Sequence, residues 1–182
     1  MATQYQVRPV RADEWNEIKA LRLVALSDEV APLAFLESHA EAAARPDAFW
    51  QERARASSVD AGPNAGARQF VAVTVDGTWV GTAVALVERA GDRDFADSII
   101  ETSGGHLVGV YLHPDHRGRG VLGDLVAAAT GWLHDLGLDR VRLYCHEDNG
   151  RARRAYEKAG FAPTGARVTS VVGPEIEMAM TL

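Results

Sequence analysis

The sequence predicts an α/β (α+β) protein, a mixed sheet of about seven strands with about four helices on its faces. Three observations carry that prediction. Strand-like apolar runs alternate with stretches whose apolar residues recur at three and four positions; an Asp-Gly pair divides two long β-branched runs; and a glycine-containing loop joins a strand to a helix. A chain of 182 residues, 47% hydrophobic and 24% charged, suits a single domain over 1–182.

The opening YQVRPV reads as a strand, and from Ala12 to Ser27 the residues Trp15, Ile18, Leu21 and Ala25 fall at helical spacing behind a polar start. Between Asp28 and Ala67 the pattern is mixed, with a helix expected around Asp47 to Arg55 and then the irregular loop SSVDAGPNAGA. QFVAVTV and TWVGTAVALV flank Asp76-Gly77, a pair suited to the positive φ angles of a tight two-residue turn, so an antiparallel hairpin is expected. After a polar loop from Glu88 to Gly105, HLVGVYL has the content of a buried strand, which Pro114 ends because it has no N–H for the ladder. DHRGRG then leads into a helix on which Leu122, Leu125, Val126, Ala129, Leu133 and Leu136 form one stripe, and Gly137 stops it. RVRLYC is a strand. Ala152, Ala155, Tyr156 and Ala159 share a helical face ending at Gly160, and FAPTGARV and VVGPEIEMAMTL are two final strands.

Composition narrows the function. The lone Cys145 can form no internal disulfide, the first residues MATQYQVRPV lack the apolar run of a secretion signal, and no apolar segment approaches the ~20 residues of a membrane span. A cytoplasmic protein without membrane insertion is expected. A net charge of −6 argues against a nucleic-acid surface. The arginines nevertheless cluster at HRGR and RARR, whereas Asp28, Glu29, Glu37, Asp92, Asp94, Asp97 and Glu101 lie elsewhere. That split suits an anionic cofactor and a cationic substrate. His113, His116, His134 and His146, with Asp115 and Glu147, form no recognised ligand spacing, so no metal is expected. Cys145, inside a strand, reads as a small core residue, and Trp15, Trp50, Trp79 and Trp132 as packing residues.

The loop His116-Arg117-Gly118-Arg119-Gly120 joins a strand to a helix N-terminus, where unpaired N–H groups and the helix dipole favour an anion. Glycines admit close approach of a ligand, and Arg117 and Arg119 can add charge-assisted hydrogen bonds. Gly118, Gly120 and Gly123 also satisfy the GxGxxG spacing of dinucleotide folds, although HPDHR separates them from the strand and a hairpin comes earlier. A Walker loop would need Lys-Ser or Lys-Thr after the glycines.

VYLHPDHRGRGVLGDLV resembles the acetyl-CoA pyrophosphate loop of the GNAT superfamily, whose pattern is Gln or Arg, two residues, Gly, one residue, Gly or Ala. Arg117 and Gly120 match; Leu122 stands at the last position, followed by Gly123. HEDNGRARRAYEKAGF is similar to the family element whose Asn and Tyr approach the cofactor, here Asn149 and Tyr156. The resemblance implies a mainly antiparallel sheet and acetyl-CoA held by Arg117, Gly118, Arg119, Gly120, Leu122 and Gly123, with Asn149 on the pantetheine amides. It implies the main-chain N–H groups of Val110 and Leu112 for the oxyanion, Tyr156 as general acid, and His106 as the base, with Glu101 in reserve. A phenol of pKa ~10 and an imidazole titrating near neutrality have the chemistry for these roles. The structural alternatives are a core aromatic for Tyr156, an N-cap for Asn149 and a strand-edge histidine for His106. The expected activity is transfer of an acetyl group to a primary amine in a ternary complex, the acceptor a small cationic molecule. The alternatives are a non-catalytic acetyl-CoA sensor and a dinucleotide-dependent oxidoreductase. An exposed edge strand could support a homodimer.

Overall fold

The computed structural model of the protein describes residues 5–182, so residues 1–4 of the opening stretch MATQYQVRPV, expected to lack a secretion signal, lie outside the described residues. One seven-stranded sheet runs in the order β1-β2-β3-β4-β5-β7-β6. Its strands are β1 (Tyr5–Pro9), β2 (Ala67–Thr74), β3 (Trp79–Glu88), β4 (Gly104–Leu112), β5 (Arg140–His146), β6 (Ala162–Ser170) and β7 (Gly173–Thr181). Every neighbouring pair is antiparallel except β4 and β5. The helices are α1 (Trp15–Leu26), α2 (Ala31–Ala34), α3 (His39–Ala44), α4 (Asp47–Ser57), α5 (Val121–Asp135) and α6 (Gly150–Lys158). The expected strands and four longer helices are all present; α2 and α3 are additions. With four and six residues they are too short to show an amphipathic repeat. Only the Ser38–Glu41 capping box marks α3 in the sequence.

The β2–β3 hairpin departs from the expected turn. Of the pair Asp76-Gly77, only Gly77 has a positive φ, at 88°. The loop is three residues long, closed by Thr74 N–H on the Thr78 carbonyl at 2.9 Å. The Asp76 carboxylate accepts from the Thr74 hydroxyl and from Thr78 N–H, which favours a right-handed turn followed by one left-handed glycine.

Alternation along the strands builds two cores. Phe70 and Ala72 face α5, whose Leu125, Ala129 and Leu133 pack with Leu143 and Met178. Val71 and Val73 face the other side, against Ile18, Leu21, Trp50 and Ala54 of α1 and α4. Cys145 is buried in the first core. A Cβ on Gly105 would lie 2.4 Å from Leu133 Cδ1, so glycine is what lets α5 settle on the start of β4. No helix among the described residues is long and apolar enough to cross a membrane.

Two irregularities open the sheet. β4 and β5 pair only at Gly105–Val141 and His106–Arg142. Beyond that point β5 follows β7 along its whole length while β4 follows β3, and the two strands part. β4 also carries a bulge: between the pairs Thr82–Tyr111 and Val84–Val108, Ala83 alone opposes Gly109 and Val110. Gly109 sits there at φ 58°, a conformation that glycine adopts without a Cβ penalty.

Candidate active site

The parting strands open into a cleft of about 970 Å³ that runs from the glycine loop past the β4 bulge to His106. At one end, residues 114–116 form a short 3-10 turn, Gly118 has φ 75°, and Gly120 caps α5 at φ 83°. A Cβ built on Gly118, Gly120 or Gly123 would meet nothing within 4 Å, so the loop leaves an open cradle above the α5 N-terminus. Leu122, half-buried, lines the cleft and packs on the α5 core.

The loop arginines are tied down. Arg117 donates from Nε to the Leu112 carbonyl at 2.9 Å and from Nη2 to Asp28 at 2.7 Å. Burial pushes the Asp28 carboxyl up, but the Val30 N–H and Arg117 outweigh it and hold its pKa below the usual range. Arg117 thereby pins the loop to the end of α1. Arg119 donates to the Tyr5 hydroxyl at 3.2 Å, and that hydroxyl lies 3.0 Å from His116 Nδ1.

Val110 and Leu112 line the cleft on the part of β4 that has no β5 partner. Asn149 is buried; its side-chain oxygen accepts from Ala152 N–H at 3.2 Å, making it the N-cap of α6, while its amide N–H₂ remains for another acceptor. Tyr156, half-buried, stands on the cleft wall edge-on to Phe161, with ring centroids 6.1 Å apart. Burial, then the nearby Cys145, pushes its phenol above the ordinary value of 10. The Cys145 thiol is itself pushed up to about 11, chiefly by burial, and stays protonated at neutral pH.

His106 is buried in the cleft wall with Nδ1 3.1 Å from Glu88 Oε1. Glu88 in turn takes two hydrogen bonds from Arg142, at 2.8 and 2.9 Å. Burial raises the Glu88 carboxyl, yet the bonds from His106 and Arg142 prevail and bring it down to about 2. Arg142 also reaches Glu177 at 3.0 Å and Asp94 at 3.3 Å, so one guanidinium organises three carboxylates. Apart from His106, this network is not visible in the sequence, where Glu88 reads as the start of a polar loop. The available signals are slight: a charged residue closing VGTAVALVE and an arginine alternating within RVRLYC. Glu101 is exposed in the loop before β4 and is no part of the cleft wall. Of the other acids, Glu37 is held by Arg22 and Arg45, and Asp92 and Asp97 are exposed. Among the described residues no cluster of three His, Cys, Asp or Glu is arranged to hold a metal ion.

The chain matches the family model described as the acetyltransferase (GNAT) family over residues 26–161. It is 41% identical over 58 residues to a mycothiol acetyltransferase of Corynebacterium aurimucosum, a stretch that is 32% of this chain and 19% of that protein. The chain thus spans about a fifth of the length of the curated relatives it matches. In fold it is similar to a ribosomal-protein-S5-alanine acetyltransferase from Vibrio fischeri, with TM-score 0.72 and 19% identity over 100% of this chain and 94% of that one. A phosphinothricin acetyltransferase from Sinorhizobium meliloti in complex with AcCoA gives TM-score 0.72 and 17% identity over 99% and 89% of the two chains. The family match spans the bulged β4, the glycine loop, α5 and α6, the elements that build the cleft, and the chain belongs to the GNAT acetyltransferase family.

Proposed function

We propose that this protein is an acetyl-CoA-dependent N-acetyltransferase that moves an acetyl group directly to the primary amine of a small molecule in a ternary complex. One observation carries the reading: β4 and β5 separate beyond His106, and the resulting cleft ends on a glycine cradle at the α5 N-terminus. The residues present fit coenzyme A. Gly118, Gly120 and Gly123 leave room for a pyrophosphate, and the α5 N-terminus supplies N–H groups and a positive dipole end. Asn149 N–H₂ and the main-chain N–H groups of Val110 and Leu112, on the stretch of β4 without a β5 partner, suit the pantetheine arm and the carbonyl oxygen. Arg117, committed to Asp28 and Leu112, supports the loop rather than reaching over it.

Acetyl-CoA supplies the activated acetyl group; the chain supplies proton handling and orientation. A His106 ring that donates Nδ1–H to Glu88 carries its lone pair on Nε2, the atom that takes the proton of the amine. Ionised Glu88, fixed by Arg142, holds that ring and stabilises the imidazolium it becomes. Tyr156 Oη, kept protonated by burial, gives its proton to the departing sulfur.

A cationic acceptor is a second reading. Its remaining support is Glu175, a buried carboxylate on the cleft wall whose Oε2 has no hydrogen-bond partner. The test of the main reading is calorimetric titration with acetyl-CoA against NAD, followed by an acetylation assay on an amine panel. Saturable acetyl-CoA binding with turnover supports it. Binding without turnover on any amine indicates a sensor, and binding of NAD alone sinks the reading.

A further inference from the structure

The acceptor's chemical class can be read from the α1–α4 face of the sheet, an inference that rests on the acetyltransferase reading above. Arg53, on α4, lines the main cleft and also a small pocket of about 20 Å³ shared with Arg22, Gln69, Gly109 and Tyr111. That pocket touches the β4 bulge from the side opposite α5, where an incoming amine would meet the acetyl group.

Two arginines near Arg53 hold one carboxylate. Glu37 accepts from Arg22 on Oε1 at 2.9 Å and from Arg45 on Oε2 at 3.2 Å, so both its oxygens are engaged. Arg53 is left half-buried, and among the described residues its guanidinium has no hydrogen-bond or ion-pair partner. Burial first, then the charges of Arg22 and Arg45, pushes its pKa down, and Glu37 offsets this only in part. A desolvated cation beside like charges, open on its cleft side, is a receptor for an anion.

Gln69 adds the second half of the site. It is 4% exposed, and its Nε2 donates to Thr82 Oγ1 at 3.0 Å while the Thr82 hydroxyl donates to the Phe70 carbonyl at 2.8 Å. Because the Thr82 proton is committed, its oxygen must accept, which sets the amide with Oε1 turned away. That Oε1 is buried without a hydrogen-bond partner. An orphaned acceptor of this kind calls for an N–H. Leu33, Phe35 and Leu36 complete the surroundings with an apolar wall.

We propose that the acceptor is a small amine bearing a carboxylate, an amino-acid-like zwitterion, whose carboxylate pairs with Arg53 beside Arg22 while its nitrogen lies toward Gln69 and the Gly109 bulge. Arg53 then determines specificity without taking part in proton transfer.

The experiment measures acetylation rates of L-leucine, L-methionine and L-phenylalanine, their carboxamides, and spermidine, with the wild-type chain, Arg53→Gln and Arg53→Lys. The expected kcat/KM for a free amino acid exceeds that for its amide by about tenfold or more. Arg53→Gln brings that ratio to about one, mainly through KM, and Arg53→Lys restores part of it. Calorimetric affinity for acetyl-CoA in both variants stays within about twofold of wild type, which shows the fold intact. Amides or spermidine used as well as the amino acids, a preference that survives Arg53→Gln, or no turnover of any carboxylate-bearing amine by protein that binds acetyl-CoA would each overturn the inference. Failure of the wild-type chain to bind acetyl-CoA would overturn the acetyltransferase reading, and this inference with it.

Discussion

Tyr156 and Glu88 show how burial sets the protonation of single groups. Tyr156 faces the cleft with its phenol pKa raised, so the proton assigned to the departing sulfur is present at neutral pH. Tyr156→Phe should lower kcat by about 100-fold or more while calorimetry finds acetyl-CoA affinity unchanged; an unchanged kcat removes the residue from the acid role. Glu88 titrates near 2 in the folded chain against an ordinary 4.5. Between those values the unfolded chain binds more protons, so stability rises with pH there. The contribution is complete above about 4.5 and is lost as pH falls through about 2. Thermal melts from acid to neutral pH should therefore show a steeper acid loss for wild type than for Glu88→Gln, and parallel curves would count against the linkage. The sequence singles out His106, Asn149 and Tyr156, each in or beside a short motif, and all three line the cleft. Glu88 is not singled out, since its partner Arg142 is 54 residues away.

At the scale of elements, the contact between α5 and β4 depends on one glycine. A Cβ on Gly105 would meet Leu133 Cδ1 at 2.4 Å and Cδ2 at 3.0 Å, and Leu133 is fully buried. Gly105→Ala should cost about 1–3 kcal/mol, read as a lowered urea midpoint with unchanged m-value. An unchanged midpoint would mean that α5 shifts at no cost. The helix itself is evident from its apolar stripe, and its start from the glycines before it. What the stripe does not convey is the closeness of approach, because the same Leu133 spacing serves a helix packed at any depth. Likewise α2 and α3 escape a periodicity reading, being shorter than the repeat that would reveal them.

Across the whole molecule, the two cores hold the sheet together on both faces, while the cleft between β4 and β5 remains open. A ligand seated there touches both halves of the sheet and stabilises only the folded chain. Acetyl-CoA at 100 times its Kd should add about 2.7 kcal/mol. For a chain of this size that corresponds to roughly 5–11 °C in Tm at the ~2–4 °C per kcal/mol typical of such domains. NAD at the same concentration should leave Tm unmoved. A shift with NAD and none with acetyl-CoA would contradict the proposed cofactor.

By itself, the sequence determined the seven strands, the four longer helices and their order, the glycine loop ahead of α5 and the family motifs. All of these are encoded over a few to about twenty neighbouring residues, in periodicity, glycine placement and helix-start chemistry. The tertiary structure decided which strands are neighbours, where β4 and β5 stop pairing, and which charged side chains meet. The joining of Glu88, His106 and Arg142, and the meeting of Arg53 and Gln69 at one small pocket, depend on register and packing between distant segments. No local pattern carries such information, because the energy of a buried charge or an unpaired amide depends on what the rest of the fold brings against it.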